Sequence, residues 1–258
     1  MKTMYPDLDI DLTFQPVVCE NPSRFTREQI DQYNAQGYIT RVPLFEGEVL
    51  QRVQDFFRRS KKELTTYDMF TSLHHLNPDL HDIVVNQTLT EHLKDLLGPD
   101  IVCHVSQFIC KEPGQMRVIP WHQDASFNPM DARCVIVWTA IDDATIDNGC
   151  MGFIPGSHRL GALDCNLEKG HEVSDADRNG EKVPIELRAG QAVFFSDLLL
   201  HSSPGNRTAD RPRGGLTATY ASAQLVPTLG HKKWAVLCSG QDPHNRWEVH
   251  PRPTIPTR

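Results

Sequence analysis

The chain has 258 residues, 39% hydrophobic and 23% charged, enough to bury a sizeable core in one large domain and wrong for a disordered segment. A formal net charge of −7 with no long Lys/Arg run excludes a general nucleic-acid binder, which must neutralise phosphates. Residues 1–7 lead into an acidic stretch and no apolar run reaches the length of a membrane span, so neither a signal peptide nor a membrane helix is expected.

The first twenty residues read as a mixed arm ending near Asn21-Pro22. Thr26, with Glu28 and Gln29 in the turn that follows, has the pattern of a helix cap, and the helix is expected to continue through Ile30, Tyr33 and Asn34 and stop at Gly37. Residues 38–42 read as a strand. Val49, Leu50, Val53, Phe56 and Phe57 recur at helical spacing and predict a second helix over 46–64, a stripe that core packing explains. Residues 65–85 have no clean period and predict a long irregular loop of the kind that lies over a site. A short helix over 90–97 closes on Gly98-Pro99.

Beyond Asp100 the texture changes to strands over 101–110, 134–141, 183–187, 191–195 and 216–220, separated by glycine-rich turns. That rhythm predicts a mainly β protein, a sandwich or barrel with flanking helices on its N-terminal side. The proline-rich stretch 249–256 reads as an extended arm. Arg58-Arg59-Ser60-Lys61-Lys62 and His231-Lys232-Lys233 read as solvated surface. Seven cysteines without a Cys-x-x-Cys pair suggest small buried thiols in a reducing compartment, and the cytoplasm is the expected location.

The tripeptide His122-Gln123-Asp124, with His201 further along, carries the chemistry. Two histidines and one carboxylate form the facial triad that holds non-haem Fe(II) and leaves positions open for oxygen. Residues i and i+2 of an extended strand project to one side, so His122 and Asp124 can reach the same ion. Taken alone His-x-Asp is a weak signal, because a hydrogen-bonded surface pair is the commoner reason for one. Ser157-His158 lacks a Gly-x-Ser-x-Gly elbow, which rejects a hydrolase reading.

The surrounding motifs add specificity. Lys111-Glu112-Pro113-Gly114 precedes Pro120-Trp121-His122-Gln123-Asp124, and Trp138-Thr139-Ala140-Ile141-Asp142-Asp143-Ala144 follows. Next come Asn148-Gly149-Cys150, Ile154-Pro155-Gly156-Ser157-His158-Arg159, the run 189–195, His201, Asn206 and Arg213. In this order they resemble the phytanoyl-CoA dioxygenase family of Fe(II)/2-oxoglutarate oxygenases, over roughly half the chain.

The resemblance implies a double-stranded β-helix, or jelly roll, in one domain spanning 1–258. A helical buttress would occupy about 21–99, the jelly-roll core about 100–225 and a C-terminal arm about 226–258. It implies iron on His122, Asp124 and His201, the first two at the end of one strand and His201 on the opposing sheet. 2-Oxoglutarate and O2 would be cosubstrates, with Arg213 pairing the distal carboxylate of the oxo acid. The interval from His201 to Arg213 is 213 − 201 = 12, one longer than the family pattern, which makes Arg211 a rival. Thr139 and Gln107 are further cosubstrate candidates. Lys111 is either another or a solvated edge charge.

Asp124 stands where related halogenases have Ala or Gly, so hydroxylation of an aliphatic C–H is expected over halogenation. Desaturation, epimerisation and ring closure use the same ligands. The expected substrate is a small polar or natural-product molecule held between the 65–85 loop and the segment around Trp234, with Phe70, His75 and Trp234 as contacts; an acyl-CoA is the alternative. Other classes are a Zn(II) or Mn(II) cupin-like isomerase and a binding jelly roll without activity. No nucleic-acid or membrane partner is expected.

Overall fold

The computed structural model describes residues 12–63, 69–71, 73–127, 134–225 and 233–254. Four helices and twelve strands are assigned among them. Helix α1 (Arg27–Gln36) begins with the expected capping box: Thr26 Oγ1 accepts from Gln29 N, and the Gln29 side chain accepts from Thr26 N. It ends at Gly37, whose φ of 91° suits a residue without Cβ. A Cβ there would also press on the His158 ring and Leu199. Strand β1 (Tyr38–Pro43) and α2 (Gly47–Glu63) follow.

The described part of the stretch expected as a loop forms regular elements. It holds the short strand β2 (Met69–Thr71), a 3-10 turn (Leu73–His75) and α3 (Pro78–Val84). Asn77 caps α3, its Oδ1 accepting from Asp79 N and Leu80 N, and Pro78 opens the first turn. Their aperiodic sequence hid three elements too short to repeat. Helix α4 (Gln87–Leu97) starts three residues earlier than expected because Asn86 caps it.

The β part runs β3 (Ile101–Lys111), β4 (Ile119–His122), β5 (Cys134–Ala140), β6 (Met151–Phe153), β7 (Val183–Ile185), β8 (Gln191–Ser196), β9 (His201–Ser203), β10 (Arg213–Ser222), β11 (Lys233–Ser239) and β12 (Trp247–Val249). The larger sheet has the order β1-β8-β5-β10-β3-β11-β12, with β2 also paired to β3; the smaller is β4-β9-β6-β7. The expected C-terminal arm is therefore corrected in part: β11 adds to the large sheet beside β3, and β12 pairs with it in parallel. The chain beyond is tied back by Arg252, which donates to both Asp82 carboxylate oxygens at 2.7 Å.

The large sheet is covered on both faces, which is why its strands read as nearly unbroken apolar runs. One face packs on the helices through Val53, Phe56, Leu93, Phe108, Val135, Val137 and Phe194. The other packs on the small sheet through Ile136, Trp138, Phe153, Ile185, Val193 and Phe195. This is the double-layered jelly roll. The basic residues Arg58, Arg59 and Lys61 sit on the surface opposite Asp55, Asp79 and Glu112; Lys62, His231 and Lys232 lie outside the described side chains. None of the seven cysteines is in a disulfide, and no described helix is long and apolar enough to cross a membrane.

Candidate metal centre

Strand β4 is an edge strand, where Pro120 can sit without breaking a ladder. His122 is its last residue, and the backbone stays extended through Gln123 (φ −117°, ψ 132°) before turning into a 3-10 segment at Asp124 (Asp124–Ser126). Asp124 is thus the first residue of a turn rather than a strand residue, though the extended step at Gln123 gives the same-side projection. Gln123, which carried no role in the sequence, pins this turn. Its buried amide donates to Gly161 O (2.9 Å) and Leu198 O (2.6 Å) and accepts from Leu163 N (2.8 Å).

His201 opens β9 and lies directly across from His122 in the same small sheet. The expectation that it would sit on the opposing sheet is corrected: both imidazoles come from neighbouring strands of one ladder. His122 Nε2 is 3.5 Å and His201 Nε2 3.8 Å from Asp124 Oδ1. The three residues offer ligand atoms all within 4.8 Å of one another, the one such group among the described residues. His122 Nδ1 meets Pro120 O at 2.8 Å and His201 Nδ1 meets Leu199 O at 2.9 Å. Each Nδ1 therefore carries the proton and donates it, leaving both Nε2 lone pairs turned toward Asp124.

Electrostatics agree with a cation site. Burial pushes the His201 imidazole down to about 4, helped by the charge of His122. Burial acts on His122 in the same sense, but the Asp124 carboxylate outweighs it and raises that ring above its ordinary value. Asp124 itself is held below the usual carboxylate range: burial would raise it, and the two imidazoles overcome that.

The trio opens on a cavity of about 510 Å³ between the sheets. Its walls include Val105, Gln107, Ile109, Ile136, Trp138, Phe195 and Thr217 from the large sheet, and its rim includes Val118, Ile119 and Phe127. Arg213, first residue of β10 and only 1% exposed, also borders it. The guanidinium lies 5.3 Å from the Trp138 ring centre, with Nη2 3.5 Å from Ser203 Oγ. Its Nε has no hydrogen-bond partner, and no carboxylate pairs with it among the described residues. Burial lowers it to about 10, still charged at neutral pH. Gly215 makes this geometry possible, since a Cβ there would overlap the Trp138 indole.

The other expected residues divide. Gln107 is on the cavity wall. Arg211 is exposed and faces Asp147 at 3.5 Å, away from the cavity. Thr139 is corrected: Ile136 and Trp138 point into the cavity, so Thr139, one residue out of phase, lies on the opposite face of β5. Thr217 of β10, in phase with Arg213, presents a hydroxyl instead. The Phe70 side chain lies outside the described residues. His75 and Trp234 are brought together, with ring centres 6.0 Å apart, beside His250 rather than on the cavity wall. Of the two readings of Lys111, the solvated edge charge is corrected, because the residue is fully buried.

The rim that sequence reasoning missed comes from the excursion between β6 and β7. Gly170 borders the cavity, and His171, at φ 61°, stacks on Phe127 with ring centres 3.8 Å apart. Ser126 Oγ donates to Gln123 O at 2.7 Å and so accepts from His171 Nδ1 at 3.0 Å. Phe127 in turn stands edge-on to His122 at 5.8 Å. Only the pair of left-handed residues at Gly170 and His171 marks this loop, and sequence does not display backbone angles.

A family model described as Phytanoyl-CoA dioxygenase (PhyH) matches residues 21–215. The dioxygenase lolE1 of Epichloe uncinata is 26% identical over 168 residues, covering 65% of this chain and 64% of its own length. A probable phytanoyl-CoA dioxygenase of Caenorhabditis elegans is 27% identical over 186 residues, covering 66% of this chain and 58% of its own. The chain thus spans less than two thirds of the length of these curated relatives. Among solved structures, the non-heme monooxygenase ThoJ in its apo form superposes with a TM-score of 0.75 at 26% identity over 88% of both chains. EctD from S. alaskensis, with 2-oxoglutarate and 5-hydroxyectoine, gives 0.73 at 19% identity over 86% of both and shares the fold.

Proposed function

Because the chain belongs to the phytanoyl-CoA dioxygenase family, we propose that it is a non-haem Fe(II)/2-oxoglutarate-dependent dioxygenase that hydroxylates an aliphatic C–H of a small substrate. His122, Asp124 and His201 would hold the iron; Arg213, Ser203, Thr217 and Gln107 would receive the oxo acid. The observation that carries this reading is Arg213. A buried guanidinium without a carboxylate partner, bordering the same cavity as two histidines and an aspartate, calls for an anionic ligand beside a cation. When bound, iron and 2-oxoglutarate supply oxidative decarboxylation: the oxo acid and O2 give succinate and CO2, and the second oxygen atom goes to the substrate.

The protein's own part is binding and orientation. Carbonyls of Pro120 and Leu199 keep the protons on Nδ1 of the two imidazoles, so that Nε2 is the atom each offers to a metal ion. Gln123 holds the turn that presents Asp124. Ile136, Phe195 and Phe127 give the cavity apolar walls that limit water. These walls favour a substrate with an apolar body, as many natural products have, over a wholly polar one. Asp124 fills the third ligand place, which favours hydroxylation over halogenation.

Turnover under 18O2 tests the reaction class. One labelled oxygen in succinate, seen by mass spectrometry and dependent on added Fe(II), is the expected result. Succinate without label, or none, would remove the oxygenase reading and favour an isomerase or a binding role.

A further inference from the structure

The arm before α1 lies outside residues 21–215, the span the family model matches, yet it reaches the back of the metal centre. Residues 12–17 are pinned at two points. At the first, Ala162 N donates to Leu12 O, and a Cβ on the neighbouring Gly161 would stand 3.2 Å from that same oxygen. At the second, the Asn34 side chain of α1 accepts from Val17 N (2.7 Å) and donates to Val17 O (2.9 Å). Such a two-point exchange fixes a segment in register as a strand ladder does.

Phe14 stands between the two pins. Its ring meets His158 edge-on at 4.3 Å and Tyr33 of α1 at 6.3 Å. It packs on the helix-side core and also on a small separate cluster formed by Ala125 and Leu198. These two are no more than 1% exposed, and they lie directly behind the ligands. Ala125 follows Asp124 in its 3-10 turn, and Leu198 precedes Leu199, whose carbonyl accepts from His201 Nδ1. Gln123 ties the same segments together through Leu198 O, and ties them to Gly161 O and Leu163 N. Those polar bonds set the direction of the turn, and close packing from behind sets its depth.

We propose that Phe14 is a positioning residue for the metal centre, an aromatic wedge that holds the backbone carrying Asp124 and His201 at the separation a shared cation needs. The inference rests on the metal-centre reading above. Truncating the ring leaves a space that neighbouring groups fill only in part, and the Asp124 turn can retreat into it. The three ligands offer atoms within 4.8 Å of one another, and a ligand set held less firmly binds its ion less tightly.

The test measures Fe(II) affinity by anaerobic equilibrium dialysis and the visible spectrum of the Co(II)-loaded protein, on full-length variants below their melting temperatures. Phe14→Ala should weaken Fe(II) binding about tenfold, within the range that outer contacts of a metal site usually carry, and should change the Co(II) spectrum. Phe25→Ala is the control. Its ring packs on Phe194 and His92 in the helix-side core, so it should lower the melting temperature and leave both metal readouts at wild-type values. Phe14→Leu keeps most of the apolar volume, and should fold readily and show a smaller loss of the same kind. Wild-type affinity and spectrum in both Phe14 variants would overturn the inference, whatever their melting temperatures. An equal loss in Phe25→Ala would overturn it too, because it would mark general loosening. Either result leaves the metal centre standing as long as His201→Ala loses the ion. Wild-type protein that binds neither metal would overturn the metal-centre reading along with the inference.

Discussion

The molecule gathers histidines in two places and uses them differently. At the β4–β9 ladder, His122 and His201 each give Nδ1–H to a carbonyl two residues earlier, and both Nε2 atoms converge near one Asp124 oxygen. Near the β3–β11 edge, His74, His75 and His250 pack ring on ring with Trp234, and His104 lies against Trp247. There the nitrogens do not converge: His74 Nε2, His75 Nδ1 and His104 Nε2 find no partner, and Glu248 approaches His250 alone, at 3.7 Å. Among the described residues, four imidazoles do not bring a set of ligand atoms together, whereas two do so with Asp124. A locked tautomer and a shared carboxylate make the difference, not the number of rings.

The largest effect that can break this contrast is removal of a ligand. His122→Ala or His201→Ala should lower Fe(II) affinity by at least about 100-fold, beyond the 10–100-fold usual for outer contacts, with circular dichroism unchanged. His75→Ala should leave it within about twofold, both read by equilibrium dialysis. Next, Arg213→Ala should weaken 2-oxoglutarate binding by roughly 10–100-fold, the worth of a charge-assisted pair. Arg211→Ala should change it little, and the reverse ranking would move the role to Arg211.

Gln123→Ala sharpens the account of the turn. It removes three buried hydrogen bonds behind Asp124, so metal affinity should fall about tenfold with little loss of helix or sheet signal. A separate effect belongs to the second histidine group. Burial holds His74 and His104 down to about 3, against 6.5 ordinarily. Between those values the unfolded chain binds more protons than the folded one. Stability is therefore full above about pH 6.5 and declines as pH falls toward 3. Thermal melts across that window should show it, and His104→Phe should shallow the decline. A decline unchanged in that variant would assign it elsewhere.

Much of this could be read from the chain because its signals were local. The Thr26 cap, the stripe from Val49 to Phe57 and the order of motifs around His122 each depend on neighbours in sequence. What escaped depends on distant packing. Strand β5 is buried on both faces, so no alternation told whether Thr139 or its neighbours would face the cavity, and Thr217 took the place expected for it. Strands of three or four residues, such as β4, β6 and β9, are too short to show a period. Lys111 looked like an edge charge because its acceptors, Ser203 and Pro204, lie some ninety positions away.

The central claim is that one cavity joins the His122–Asp124–His201 trio to Arg213 as a site for Fe(II) and 2-oxoglutarate. The most direct measurement is the visible spectrum of the anaerobic Fe(II)-loaded protein during titration with 2-oxoglutarate. A weak charge-transfer band that saturates in the wild type, and needs far more oxo acid in Arg213→Ala, is the predicted result. Iron demonstrably bound with no band at any concentration would contradict the claim.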